Sequence, residues 1–105
     1  MMLDKRSFYI NGEWVQPTTP NDLEVINPSN EESCAVISLG DKADVDKAVS
    51  AARTAYLSWS ITPKEERISI LKKIYDVYMS KYDDIAHAIS LEMGAPISFA
   101  KEKQA

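Results

Sequence analysis

Cysteine is nearly absent: Cys34 stands alone in 105 residues, so no disulfide can close within the chain. That fits a reducing, cytoplasmic setting. Glycine is scarce as well. Gly12, Gly40 and Gly94 lie far apart, and no phosphate-cradling loop can be assembled from them. The one histidine, His87, has no second His or Cys near it, which leaves a metal site built on it without ligands. No apolar run approaches membrane-spanning length. The opening MMLDKRSFY lacks the apolar stretch of a secretory signal, so neither a membrane nor a secretory role is expected. Basic residues are also short: 12 Lys and Arg are scattered among 16 Asp and Glu, for a net charge of −4. Without a basic stripe, nucleic acid is not an expected partner.

What is present belongs to a folded protein. The chain is 45% hydrophobic and 27% charged, ordinary values for a globular domain and unlike those of a disordered segment. Its length leaves room for one domain. FYINGEWV, residues 8–15, sets two β-prone runs around Asn11-Gly12, the pair best suited to a type I′ hairpin turn. QPTTPND then reads as a loop. LEVI resumes an extended pattern, NPSNEES turns through Pro28 and Asn30, and CAVISL reads as a strand pairing antiparallel with residues 23–26.

The second part reads as helices. Asp41 is a candidate N-cap, with Asp44 in the first turn favouring the helix dipole. Val45, Ala48, Val49, Ala52, Ala55, Tyr56 and Trp59 then follow the spacing of three and four that makes a buried stripe. Thr62-Pro63-Lys64-Glu65 has the form of a capping box with proline at the first helical position. Ile68, Leu71, Tyr75, Tyr78, Tyr82, Ile85 and Ile89 continue the helical spacing. Ile70, Ile74 and Val77 widen it, so the first half is expected to be the more deeply buried. A break is expected near residues 80–83, with Asp83 and Asp84 able to cap a fresh helix. Gly94 ends that helix, and Pro96 suits the first turn of the next. The expected elements are strands over about 8–39 and helices over about 42–60, 63–80, 83–93 and 96–105. No βαβ unit is completed, and the strands are too few to cover all the apolar helix faces. The mixed run after Pro96 reads as the start of a helix that a longer protein would continue.

Catalytic chemistry is thin. Cys34 sits in a strand pattern with no local base, which favours a structural thiol over a nucleophile. Tyr75, Tyr78 and Tyr82 share a helical face and read as packing with a polar rim. Glu31-Glu32 and Asp83-Asp84 are adjacent pairs, suited to solvation or capping. No active site can be built from these residues.

The order of the segments is more telling than any one of them. YINGEWV, EVINPSNEE, GDKADVDKAVSAARTAYLSW, TPKEERISILKKI and LEMGAP follow one another in a way that resembles the N-terminal portion of the NAD(P)-dependent aldehyde dehydrogenase superfamily. INPSNEE resembles the family's Asn-Pro turn, where Gly usually stands at or near Asn30. ADVDKAVSAARTAY is similar to its first helix. LEMGAP is similar to its Glu-Thr-Gly-Lys-Pro segment, with Met93 and Ala95 in place of Thr and Lys.

The resemblance implies an α+β fragment, N-terminal β-hairpins followed by three or four helices, forming the outer N-terminal part of a coenzyme-binding, Rossmann-like α/β domain. It implies a parent oxidoreductase in which a cysteine thiolate attacks an aldehyde and hydride passes to NAD or NADP. A glutamate-activated water then releases the acid, and an asparagine amide stabilises the oxyanion. Those three residues and the coenzyme-phosphate contacts belong to parts of the family sequence beyond residue 105, so the chain alone is expected to be inactive and to bind no NAD. By position Cys34 is not the nucleophile and Glu92 is not the general base. Many members also hold a structural monovalent cation. Its ligands matched by motif are the carbonyls of Val25 and Ile26 and the side chain of Glu92, and at least one further ligand lies outside this sequence. The expected partner is the remainder of the enzyme, with self-association through apolar helix faces as a second route. The alternative from another class is a free-standing helical interaction module or a complementing subunit.

Overall fold

The structure, a computed structural model, describes residues 2–105. The chain divides into two compact units. One runs to Val25 and resumes over Ser33–Ile61; the other comprises Ile26–Glu32 and Thr62–Ala105.

In the first unit, β2 (Phe8–Ile10) and β3 (Glu13–Val15) form an antiparallel hairpin with Phe8 opposite Val15, Tyr9 opposite Trp14 and Ile10 opposite Glu13. Asn11 and Gly12 take φ of 56° and 79°, the positive pair that a type I′ turn demands. Alternation then sorts the side chains. Phe8, Ile10 and Val15 are half-buried, while Tyr9 and Trp14 stay exposed with ring centroids 5.2 Å apart.

A second sheet has the order β1-β5-β4, from β1 (Leu3–Lys5), β4 (Asp22–Asn27) and β5 (Glu32–Ser38). The short connection between neighbours β4 and β5 is one that only antiparallel strands accept. Strand β1 is a departure from the sequence reading, which began its strands at residue 8. Leu3, Asp4 and Lys5 run parallel to β5 opposite Ala35, Val36 and Ile37. LDK has no β preference of its own, so its extended form is imposed by the edge of β5. Arg6 bonds both Asp4 and Asp22, at 2.7 and 3.2 Å. Those bonds hold the Asp4 carboxyl down at about 2, chiefly through the guanidinium hydrogen bond.

Helix α1 (Lys42–Trp59) begins with a reciprocal capping box. The Asp44 N–H donates to Asp41 Oδ1 and the Asp41 N–H donates to Asp44 Oδ2, each at 3.1 Å. The stripe expected to be buried is not: Val45, Val49 and Tyr56 are 57%, 54% and 63% exposed. Periodicity reports which residues share a face, and a cover for that face is a separate requirement.

In the second unit, α2 (Lys64–Ser80) begins one residue later than its motif implies. Pro63, at ψ 147°, is the cap residue and not the first helical one, and its carbonyl accepts the first helical bond from the Arg67 N–H at 3.1 Å. Lys81 separates α2 from α3 (Tyr82–Met93). Asp83 does not cap α3; its carboxylate pairs instead with Lys101 at 2.7 Å. Burial also runs opposite to expectation. No residue of α2 is buried, whereas Ala86 of α3 is fully so and Ile85 and Ile89 are half-covered. The cover comes from the chain end, where α4 (Ile97–Phe99) follows Pro96 and passes into a π-helical turn, Ala100–Gln104. Ala100 packs fully buried there, and the Tyr82 hydroxyl donates to the Lys101 carbonyl. Pro96 is the residue before α4, not part of its first turn.

Two turns fix this unit. Gly94, at φ 73°, closes α3 in the left-handed region, and a Cβ there would lie 2.8 Å from Pro28 Cγ. In the Asn-Pro turn, the left-handed residue is Glu31 at φ 60°, not Asn30. Its N–H reaches the Asn27 carbonyl at 2.8 Å, and the Ser29 N–H reaches Asn27 Oδ1 at 2.9 Å.

These geometries order three substitutions. Gly94→Ala meets both a positive φ and a clash, whereas Gly12→Ala meets open space and only the φ cost. Gly12→Ala is expected to cost about 1 kcal/mol, Gly94→Ala clearly more, and Glu31→Gly is expected to be neutral or stabilising by up to about 1 kcal/mol. Urea unfolding followed by circular dichroism checks that order.

Candidate functional site

Several of the chemistry-bearing residues have structural partners. Cys34 is half-buried on β5, and its thiol donates to the Val25 carbonyl at 3.3 Å. It has the setting of a small core residue and not of an activated nucleophile. His87 lies exposed on α3, where its ring Nδ1 bonds the Asp83 carbonyl one turn back at 2.7 Å. Of the tyrosines, Tyr75 is exposed and unengaged, whereas Tyr82 is tied to Lys101. Glu32 accepts from the Asn30 amide at 3.2 Å. No group of three or more His, Cys, Asp or Glu among the described residues is arranged to hold a metal ion.

The residues matched to a monovalent-cation site fall in both units. Val25 ends the first unit's part of β4, and its carbonyl accepts the bond from Cys34. Ile26 and Glu92 belong to the second unit, and both are exposed. There, the turn that follows Ile26 meets the helix end that follows Glu92, because Pro28 packs against Gly94. Carbonyl and carboxylate oxygens are the donors a hard cation takes.

The starts of the three long helices do not suit a pyrophosphate. Helix N-termini are the usual seats for a pyrophosphate. Here Asp41 and Asp44 fill that of α1, Glu65 and Glu66 stand in the first turn of α2, and Asp83 and Asp84 in that of α3. Carboxylates at those positions repel a phosphate.

The most constrained polar group is Asp44, which is buried. Besides the Asp41 N–H, it receives the Thr18 N–H at 2.9 Å and the Thr18 hydroxyl at 2.8 Å. Lys47 then donates to the same hydroxyl at 3.0 Å. Three donors on one carboxylate hold its pKa below the usual range, the Asp41 amide foremost. The sequence showed Asp44 as a first-turn acid; its tether to the proline-containing loop had no sequence signal. Beside it, a groove of about 680 Å³ runs between the hairpin and α1, lined by Ile10, Val15, Gln16, Lys47 and Thr54 among others. Its hydroxyl residues are Ser50 and Thr54, and the Thr54 hydroxyl donates to the Ser50 carbonyl at 3.1 Å, the bond of an ordinary helical threonine.

Comparison with known proteins gives the family. A model of the aldehyde dehydrogenase family matches residues 14–105. The chain therefore belongs to the aldehyde dehydrogenase family. It is 48% identical over 96 residues to a 3-succinoylsemialdehyde-pyridine dehydrogenase of a Pseudomonas species, which covers 91% of this chain and 20% of that protein. To a putative aldehyde dehydrogenase of Staphylococcus aureus (strain bovine RF122 / ET3-1) it is 47% identical over 100 residues, 95% of this chain and 21% of the other. Among solved structures, an aldehyde dehydrogenase from Bartonella henselae matches with a TM-score of 0.97 and 52% identity, over 98% of this chain and 22% of that one. A variant of aldehyde dehydrogenase C from Pseudomonas syringae, crystallised with NAD+ and octanal, matches at 0.92 and 43%, over 94% and 20%. The chain thus spans about a fifth of the length of these relatives and corresponds to their N-terminal part.

The Asp44 node makes a pH prediction. A depressed carboxyl pKa contributes stability that is present above the unfolded value near ~4 and lost as pH falls through the lower folded value. Asp44→Ala is expected to lower the melting midpoint by roughly 5 °C at neutral pH and to flatten the acid side of the stability curve. Melting curves from pH 7 down to about pH 2 test both effects.

Proposed function

We propose that this chain provides the outer N-terminal part of the coenzyme-binding domain of an NAD(P)-dependent aldehyde dehydrogenase, the enzyme that oxidises an aldehyde to a carboxylic acid. The observation that supports this most is the family match over residues 14–105, joined to the same order of hairpin, Asn-Pro turn, capped helix and Gly-Pro segment. On this reading the coenzyme accepts the hydride in the parent enzyme, and the catalytic Cys, Glu and Asn are supplied by the remaining sequence. The part played here is architectural. Asp44 and Thr18 pin the loop to α1, and the Pro28–Gly94 contact fixes the turn against the end of α3. The remainder of the enzyme is the partner, self-association through bare helix faces is the secondary one, and the cytoplasm is the setting, as its single cysteine favours.

The gene product carrying these residues is expected to reduce NAD+ or NADP+ with an aldehyde, followed by nicotinamide absorbance, while the 105-residue chain alone is inactive. Activity from the short chain, or none from a product that contains the full family length, contradicts the proposal.

The same reading places a potassium or sodium ion against the Val25 and Ile26 carbonyls and the Glu92 carboxylate. The active gene product is then expected to melt higher in potassium chloride than in a large organic cation chloride of equal ionic strength. Glu92→Gln should shrink that difference, and an unchanged difference would remove Glu92 from the site.

A further inference from the structure

The three-stranded sheet carries a buried hydroxyl that none of the described residues satisfies. Ser38, on β5, is 8% exposed, and its Oγ has no hydrogen-bond partner among them. A buried hydroxyl in that condition is costly, and a partner from outside the chain removes the cost. The register explains how it comes to be covered. Lys5 stands beside Ile37, so Arg6 follows at the level of Ser38. On the other edge the Leu39 N–H donates to the Asn21 carbonyl at 2.7 Å, which brings Asp22 to the same level. The Arg6–Asp22 bond, 3.2 Å long, therefore spans β5 beside Ser38. These three residues, with Gln16, Pro17 and Pro20, line a cavity of about 330 Å³ that lies within the first unit. We infer that this cavity is a binding site for a small, uncharged polyhydroxy compound, a polyol or simple sugar. The inference does not rest on the dehydrogenase reading.

The chemistry of the lining selects that class. Arg6 supplies donors, because it keeps N–H groups beyond the three that bond Asp4 and Asp22. The Asp22 carboxylate and the Gln16 amide oxygen supply acceptors, and the Gln16 nitrogen is held by the Ser7 hydroxyl at 2.9 Å. Ser38 supplies one of each. Vicinal hydroxyls answer a neighbouring donor and acceptor together, since each hydroxyl both donates and accepts. Charged ligands fit less well. Asp4 and Asp22 both pair with Arg6, so an anion meets two carboxylates and a cation meets the guanidinium. The rings of Pro17 and Pro20 add apolar wall for the C–H side of a polyol. Arg6 and Asp22 are themselves half-exposed, which leaves the cavity open to solutes. Its volume is roughly ten times a water molecule's share of the liquid, room for more than one bridging solvent molecule.

The test is saturation-transfer difference NMR of erythritol on the native gene product, with acetate and tetramethylammonium as charged comparators. Erythritol is expected to give a saturable signal stronger than either comparator. Ser38→Ala removes no bond within the described residues, so the variant is expected to melt at the temperature of the parent while its erythritol signal falls several-fold. The absence of a saturable signal overturns the inference and leaves the cavity to solvent. An equal signal from Ser38→Ala overturns it by placing erythritol elsewhere. A stronger signal from acetate or tetramethylammonium overturns it in favour of a charged ligand.

Discussion

Burial is the constraint on which everything else in this chain rests. Among the described residues the buried apolar ones are Val36, Ala86 and Ala100, and two of those three are alanines. Larger side chains such as Leu57, Leu71 and Ile61 remain mostly exposed. A chain of this length ordinarily buries about two-thirds of its unfolded surface and depends on that burial for stability. Here local hydrogen bonding carries an unusual share. The capping box at Asp41 and Asp44, the Asx turn at Asn27 and the left-handed cap at Gly94 each satisfy backbone groups that packing leaves open.

Those local devices also explain the division into two units. In the first, Asp44 gathers the loop at Thr18 and the start of α1, while Arg6 draws Asp4 and Asp22 together. In the second, the π-helical turn closes over α3 through Ala86, Ala100 and the Tyr82–Lys101 bond. The first unit is held where polar groups meet, the second through two buried alanines as well, and much of the apolar surface of α1 and α2 lies outside those points.

Much of the fold was legible because its signals are local. Asn11-Gly12 announces a type I′ hairpin through its own backbone preferences, and Asp41 announces a helix start. What escaped was decided at a distance. Strand β1 exists because β5 offers an edge, and nothing in Leu3-Asp4-Lys5 says so. The left-handed position of the Asn-Pro turn fell on Glu31, although asparagine is the residue that tolerates it best. The burial order of α2 and α3 came out reversed, because periodicity identifies a face and is silent on its cover. The same division holds for the candidate site. Glu92 and Ile26 were matched to a cation site only through the family resemblance, and the Pro28–Gly94 contact that brings their segments together is tertiary. Asp44 was visible as a helix-start acid, yet its bonds to Thr18 span a loop that no pattern rule connects.

The central claim is that these residues form the N-terminal part of an aldehyde dehydrogenase. The most direct test is the intact mass of the gene product isolated from its own cell. A mass several times 11.8 kDa, in a product that begins with these residues, is the result the account predicts. A product near 11.8 kDa that melts as a sharp, monomeric two-state domain would contradict it, because such behaviour requires a larger core than Val36, Ala86 and Ala100 make.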